Sequence, residues 1–214
     1  IDMCEEVTKV TGVKDAYLKI YATNGYGNEQ ILNQVIAMER PDAILHFTDP
    51  RFWRWLYNIE HSIRQTFPIM YYNIWDDLPY PHWNEPFYES CDLIMNISRQ
   101  TQNIVKNVLQ KFPKPDWAVQ WVPHGINEKE FYPINNLSST EEWNAYNNWQ
   151  DTFKKKHNVD FVVFWNNRNI RRKQPADVML SFKTFCDSLP KEKADRCILL
   201  MNTQLVDDNG TDLS

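Results

Sequence analysis

This 214-residue chain has no long apolar run. Its longest, as in Ile198-Leu199-Leu200-Met201, last only a few residues, against the roughly 20 that a bilayer-spanning helix needs. The opening residues, IDMCEEVTKV, lack the basic stretch leading into an apolar one that marks a signal peptide. No Met stands at position 1, so the expected start lies upstream. Positive charge is in deficit: 23 Lys and Arg face 28 Asp and Glu, for a formal net charge of -5. A broad basic field is therefore missing, and no nucleic-acid partner is expected. The four cysteines, Cys4, Cys91, Cys186 and Cys197, are scattered and include no C-x-x-C pair, which argues against a zinc ribbon or a redox motif. They suggest a reduced, cytoplasmic protein with buried thiols. No internal repeat is present, which argues against a solenoid. Hydrophobic residues at 43% and charged residues at 24% place the chain in the globular range.

What the chain does contain is an alternation. Short apolar runs without polar alternation, at 42–48, 68–74, 92–97, 118–122, 160–165 and 197–201, read as parallel strands covered on both faces. Between them lie stripes of helical period: Ile31, Leu32, Val35 and Ile36; then Ile104, Val105, Val108 and Leu109 behind the N-cap candidate Ser98. Val178, Phe182, Phe185 and Leu189 follow Pro175, which suits a first helical turn. Strand, helix and strand in repetition predict an α/β fold with a doubly wound sheet.

One stretch breaks the rhythm. Residues 133–158 are polar and Asn-rich, with Trp143, Tyr146, Trp149 and Phe153 at helical spacing and Lys154-Lys155-Lys156-His157 as a helix end. This segment reads as a bridge between two Rossmann-like parallel-sheet units, 1–135 and 136–214, with a cleft between them.

The candidate chemistry begins with WNNRNIRRKQP, residues 165–175, where Arg168, Arg171, Arg172 and Lys173 fall within six positions of an acidic protein. The cluster lies between a strand and a helix start, where open α/β sheets bind ligands and helix N-termini attract anions. Arg offers a planar fork for two oxygens and Lys a compact charge, a combination suited to a phosphate or diphosphate. A solvated surface turn is the alternative.

A second signature precedes it: Val122-Pro123-His124-Gly125-Ile126-Asn127, with Phe131 and Pro133. This pair of segments resembles the family 4 (group 1) glycosyltransferases of GT-B fold, in which a "PxGhD/N…F.P" segment closes the first domain and a strand followed by "GR…KG" opens the second. Pro41-Asp42, Pro68 through Asp76 with Leu78-Pro79-Tyr80-Pro81, and Cys91-Asp92-Leu93-Ile94 through Ser98 look like three further segments of that family in the same order. The resemblance implies an acceptor-side domain over 1–135 and the start of a donor domain over 136–214, each incomplete. It implies transfer of a sugar from a nucleotide-diphosphate-sugar donor to an acceptor, with retention at the anomeric carbon, in glycan biosynthesis and without a metal cofactor. Arg168 and Lys173 match the residues that hold the donor diphosphate and stabilise the leaving group. Arg172 has no counterpart and would add field at the donor site.

Gly125 would let the backbone approach the ligand, and His124 reads either as a ligand contact or as a satisfied loop histidine. His46 and Asp49 end a strand on the expected ligand side, which makes Asp49 an acceptor-site candidate. Asp76 stands where relatives have the Asp of an "HD" pair, but Trp75 replaces the His. Either Asp76 and its backbone cover that role or the sugar site differs; Asp76-Asp77 otherwise reads as a structural loop pair. The family's Gly-rich first loop and its E-x7-E segment have no match here, so the chain is expected to be cut at both ends. The aromatic run Phe52 to Tyr57 reads as core or as an acceptor-stacking surface, and Pro79 to Pro86 as a rigid loop beside it. A non-catalytic relative that binds a nucleotide or glycan within a larger assembly is the second reading.

Overall fold

All six apolar runs form parallel strands. The computed structural model describes residues 1–135 and 139–213. They divide into two units, Ile1–Ile126 and Asn127–Ser214, where the sequence reading drew the line after residue 135.

The first unit opens with helices α1 (Cys4–Thr11) and α2 (Glu29–Glu39). Strand β1 (Ile44–His46) leads through a 3₁₀ turn at Pro50–Trp53 into α3 (Arg54–Asn58) and α4 (Glu60–Ile63). Then come β2 (Ile69–Asn73), α5 (Glu85–Glu89), β3 (Leu93–Asn96), α6 (Arg99–Val108) and β4 (Val119–Trp121). The expected cap acts as such, Ser98 Oγ accepting from the Thr101 amide at 3.0 Å, and Asn28, which was not anticipated, caps α2 with Oδ1 accepting from the Ile31 amide at 2.9 Å. Each relieves a backbone donor that a helix start leaves unpaired.

The four strands lie in the order β1-β2-β3-β4, all parallel. That order never reverses, so the doubly wound topology expected from the alternation is absent from the described residues. Parallel strands joined by right-handed crossovers, laid down in sequence order, carry their connecting helices on one face. The burial follows this rule and corrects a second expectation, since the strands are fully covered on one face only. Ile44, Ile69, Tyr71, Ile94 and Val119 form one buried cluster with Leu56, Tyr57, Ile63, Tyr88, Cys91, Ile104, Val105, Val108 and Leu109 of the connecting helices and their ends. On the other face Leu45 is exposed, and Met70, Tyr72, Leu93 and Met95 are half-buried.

His46 belongs to the covered face. Its ring stacks on Trp53 and Tyr71, each at 4.9 Å between centroids, and Nδ1 lies 2.8 Å from the Tyr57 hydroxyl. Nε2 is buried with no partner, and burial pulls the imidazole down from 6.5 to about 4. Of the thiols expected to be buried, only Cys91 is; burial raises it to about 12, while Cys4, Cys186 and Cys197 stay half-buried, and all four are free. The elements that hold the latter three, Cys4–Thr11, Pro175–Asp187 and Cys197–Asn202, contribute few fully buried residues.

The second unit contains α7 (Thr140–His157), β5 (Phe161–Asn166), α8 (Pro175–Asp187), α9 (Lys191–Ala194) and β6 (Cys197–Asn202). Strands β5 and β6 pair in parallel through six residues each, from Phe161 opposite Cys197 to Asn166 opposite Asn202. Arg196 ties the two strand starts together by a two-pronged ion pair with Asp160 and a 3.0 Å bond to Asn158. The expected helix is α7, and its aromatic residues stack in series from Trp143 through Tyr146 and Trp149 to Phe153. Among the described residues of this unit only Val159, Asn169 and Pro175 are fully buried. No helix among the described residues is long and apolar enough to cross a membrane.

Two outcomes follow from the one-sided core. Leu56→Ala, at a fully buried position, lowers unfolding free energy by about 2–5 kcal/mol in urea titration. Because folding depresses the His46 pKa, its contribution is present above about pH 6.5 and is lost as pH falls toward 4. Wild-type stability therefore drops more steeply over that window than that of His46→Phe.

Candidate functional site

Both units place their candidate residues in loops beyond the carboxyl ends of the strands. In the second unit the loop after β5 carries the basic cluster, and it is locked from within by Asn169. This fully buried residue donates through Nδ2 to the carbonyls of Gln204, Leu205 and Thr211 at 3.1, 3.2 and 2.6 Å. Its Oδ1 accepts from the Thr211 amide at 3.1 Å. One side chain thus bonds four backbone groups of the loop after β6. The Arg171 amide adds a 2.9 Å bond to the Asn209 carbonyl.

Gly210 lies so close to this hub that an added Cβ would sit 2.3 Å from the Asn169 carbonyl oxygen. Glycine at this position thus both closes a turn from Asp207 and permits close approach to Asn169.

On this platform Arg168 forms a two-pronged ion pair with Asp207, Nε to Oδ2 at 2.8 Å and Nη2 to Oδ1 at 3.1 Å. Arg168 lines an open polar cavity of about 530 Å³ with Asn166, Asn167, Asn202, Thr203 and Gln204, and Asp207 is not part of that lining. The ion pair holds the Asp207 carboxyl below its usual range, with the Asn209 amide as the next cause. Lys173 and Arg172 end a 3₁₀ turn, Arg171–Lys173, and neither side chain has a hydrogen-bond or ion-pair partner among the described residues. Gln174, in the left-handed region at φ 52°, then turns the chain into α8, whose first residue is Pro175 and whose start has no side-chain cap. Arg172 and Lys173, without partners among the described residues, and an uncapped helix start form a local anion-attracting surface.

In the first unit, His124 stacks on Tyr72 at 5.1 Å, and Phe47 meets both rings edge-on at 5.4 and 6.0 Å. The Tyr72 hydroxyl donates to the Val122 carbonyl at 2.7 Å and so holds the segment that carries His124. His124 therefore has an aromatic partner and remains exposed. At Gly125 the space is open, and its backbone is outside the left-handed region, so the fold places no demand for glycine there.

Asp49 caps the turn at Pro50–Trp53, accepting from the Arg51 amide at 2.9 Å, and pairs with the Arg51 guanidinium. Its carboxylate is committed to the local structure. Asp76 is exposed, and its carbonyl accepts from Gln100 Nε2 at 3.1 Å. The neighbouring Asp77 accepts from the Leu78 amide and, through its carbonyl, from the Trp75 indole. No direct contact joins Asp49, Asp76 and His124.

The sequence reading missed a hollow in this unit. A cavity of about 450 Å³ lies beyond the end of β1, walled by Tyr21, Tyr26, Phe47, Trp53 and Trp55 and by Leu32 and Val35 of α2. Gly25 and Gly27, at φ 63° and 74°, make the bend that brings Tyr26 over Phe52, stacked at 4.1 Å. The signal was present as Asn24-Gly25-Tyr26-Gly27-Asn28 directly before an amphipathic stripe, a loop ending in an N-cap. Among the described residues no group of three or more His, Cys, Asp or Glu could hold a metal ion. Compared with protein-family models and with curated proteins, the chain matches none.

Gly210→Ala forces the loop after β6 away from Asn169. The expected cost is about 1–3 kcal/mol, with faster hydrogen exchange at the Thr211 and Arg171 amides than in wild type.

Proposed function

We propose that the protein is a nucleotide-sugar-dependent glycosyltransferase of GT-B type, with the donor's diphosphate bound at the loop after β5. The observation that carries this reading is the anchored loop itself: its Asn169 side chain is bonded to the loop after β6, while among the described residues Arg172 and Lys173, just before α8, have no hydrogen-bond or ion-pair partner. Such an arrangement suits a ligand with several anionic oxygens, because the backbone that carries the cations is anchored before it arrives.

In the proposed reaction the bond between the anomeric carbon and the diphosphate oxygen breaks, and negative charge grows on the departing group. Lys173 and Arg168 would stabilise that charge, each well-placed donor being worth on the order of 3 kcal/mol. The acceptor hydroxyl oxygen forms the new bond and its proton passes to the departing diphosphate oxygen, with retention of configuration as the resemblance implies. The aromatic cavity beyond β1 suits a ring-shaped acceptor, since aromatic walls stack on the C–H faces of a sugar.

A second reading, a binding module without transfer activity, draws support from Trp75. This residue packs against the core and donates its indole N–H to the Asp77 carbonyl, so the position before Asp76 offers no group that can exchange a proton.

Isothermal titration with UDP, GDP and ADP tests the donor site. Lys173→Ala and Arg168→Ala are each expected to weaken the tightest of the three by about tenfold or more. Unchanged affinity in both variants would remove the assignment. Release of free nucleotide from a bound nucleotide sugar separates the enzyme from the binding module.

A further inference from the structure

We infer that Asp207 is a positioning residue for the donor site, holding one edge of the Arg168 guanidinium so that the other edge faces a diphosphate. The inference rests on the reading of the loop after β5 as that site.

The two residues are 39 positions apart and meet because β5 and β6 lie side by side. Their surroundings are unequal: the Asp207 side chain is 5% exposed and that of Arg168 63%. A guanidinium carries five N–H groups in a rigid plane. Asp207 engages Nε and Nη2, which form one edge of that plane, and leaves Nη1 and the second Nη2 proton directed away from it. That remaining pair has the fork geometry suited to two phosphate oxygens.

Asp207 is itself held. Its Oδ1 accepts from the Asn209 amide at 3.0 Å, its carbonyl accepts from the Gly210 amide at 2.8 Å, and Asn169 anchors the same loop at three carbonyls. Without this support Arg168 would be a flexible chain on the surface, and ordering it on binding would cost conformational entropy. A carboxylate beside an anion site also repels the anion, and Asp208 adds to that field at Arg168. Arg171, Arg172 and Lys173 stand in the same loop and outweigh it in charge. The opposite role, a carboxylate that occupies the anion's place until displaced, conflicts with the burial of Asp207 and with its bond to the Asn209 amide.

A double-mutant cycle decides between these roles. The full chain is titrated calorimetrically with UDP, GDP and ADP as wild type, Asp207→Asn, Arg168→Ala and the double variant. Asp207→Asn is expected to weaken the tightest nucleotide about tenfold, with no further loss in the Arg168→Ala background. Tighter or unchanged binding by Asp207→Asn overturns the inference. A loss that persists in the Arg168→Ala background also overturns it, because a collapsed loop would weaken binding through Lys173 as well. If wild type binds none of the three nucleotides, the donor-site reading itself falls; binding by wild type with an unaffected Asp207→Asn removes only the role of Asp207.

Discussion

Where a parallel strand ends, its ladder of hydrogen bonds ends too, and the backbone groups of the next loop need other partners if they are buried. In both units asparagine side chains meet that need, because a primary amide accepts and donates at once. Asn73 accepts from the Trp75 amide, while Asn96, its neighbour across β2 and β3, donates to the Ile94 and Gln120 carbonyls. Asn202 bridges to Asn166 at the last rung of β5 and β6, and Asn169 then takes over the loops beyond. The Tyr72 hydroxyl holds the segment of His124 and Asp49 caps its own turn, whereas the loops that carry Asp76 and Arg168 begin at such a handover. Without it the loops would be solvated and mobile, and a charged side chain on them would have no fixed direction.

The two units use this device on different foundations. In the first, the covered face of a four-stranded sheet buries Leu56, Ile69, Ile94 and Val105 completely, so the loops rise from a rigid base. In the second, two strands are paired and few side chains are fully buried among the described residues, so polar anchoring by Asn169, Arg196 and the Arg168–Asp207 pair carries more of the local order. Exposed ion pairs contribute little individually, whereas a buried amide with four partners forbids most alternative loop conformations.

The proposed chemistry also separates along these lines. A cavity walled by aromatic rings takes apolar ring faces, and a locked basic loop takes anionic oxygens. Neither requirement is met by composition: the chain is acidic overall, and its aromatic residues are spread along its length. Trp75, fastened by its own indole, marks a place where the chain departs from the pattern it resembles.

The positions of all six strands, the helix starts at Ser98 and Pro175, and the long helix through Trp143 and Phe153 were legible in the sequence alone. Each follows from local rules: apolar runs, caps, and the period of one helix. The basic loop after β5 was legible for the same reason, since a strand, a polar segment and a Pro-started helix are neighbours in the chain. The one-sided sheet, the pairing of Arg168 with Asp207, the approach of Gly210 to Asn169 and the cavity between Tyr26 and Trp55 were not. These depend on which strands lie side by side and on which face the crossovers fall, and that is decided by contacts between segments far apart in sequence.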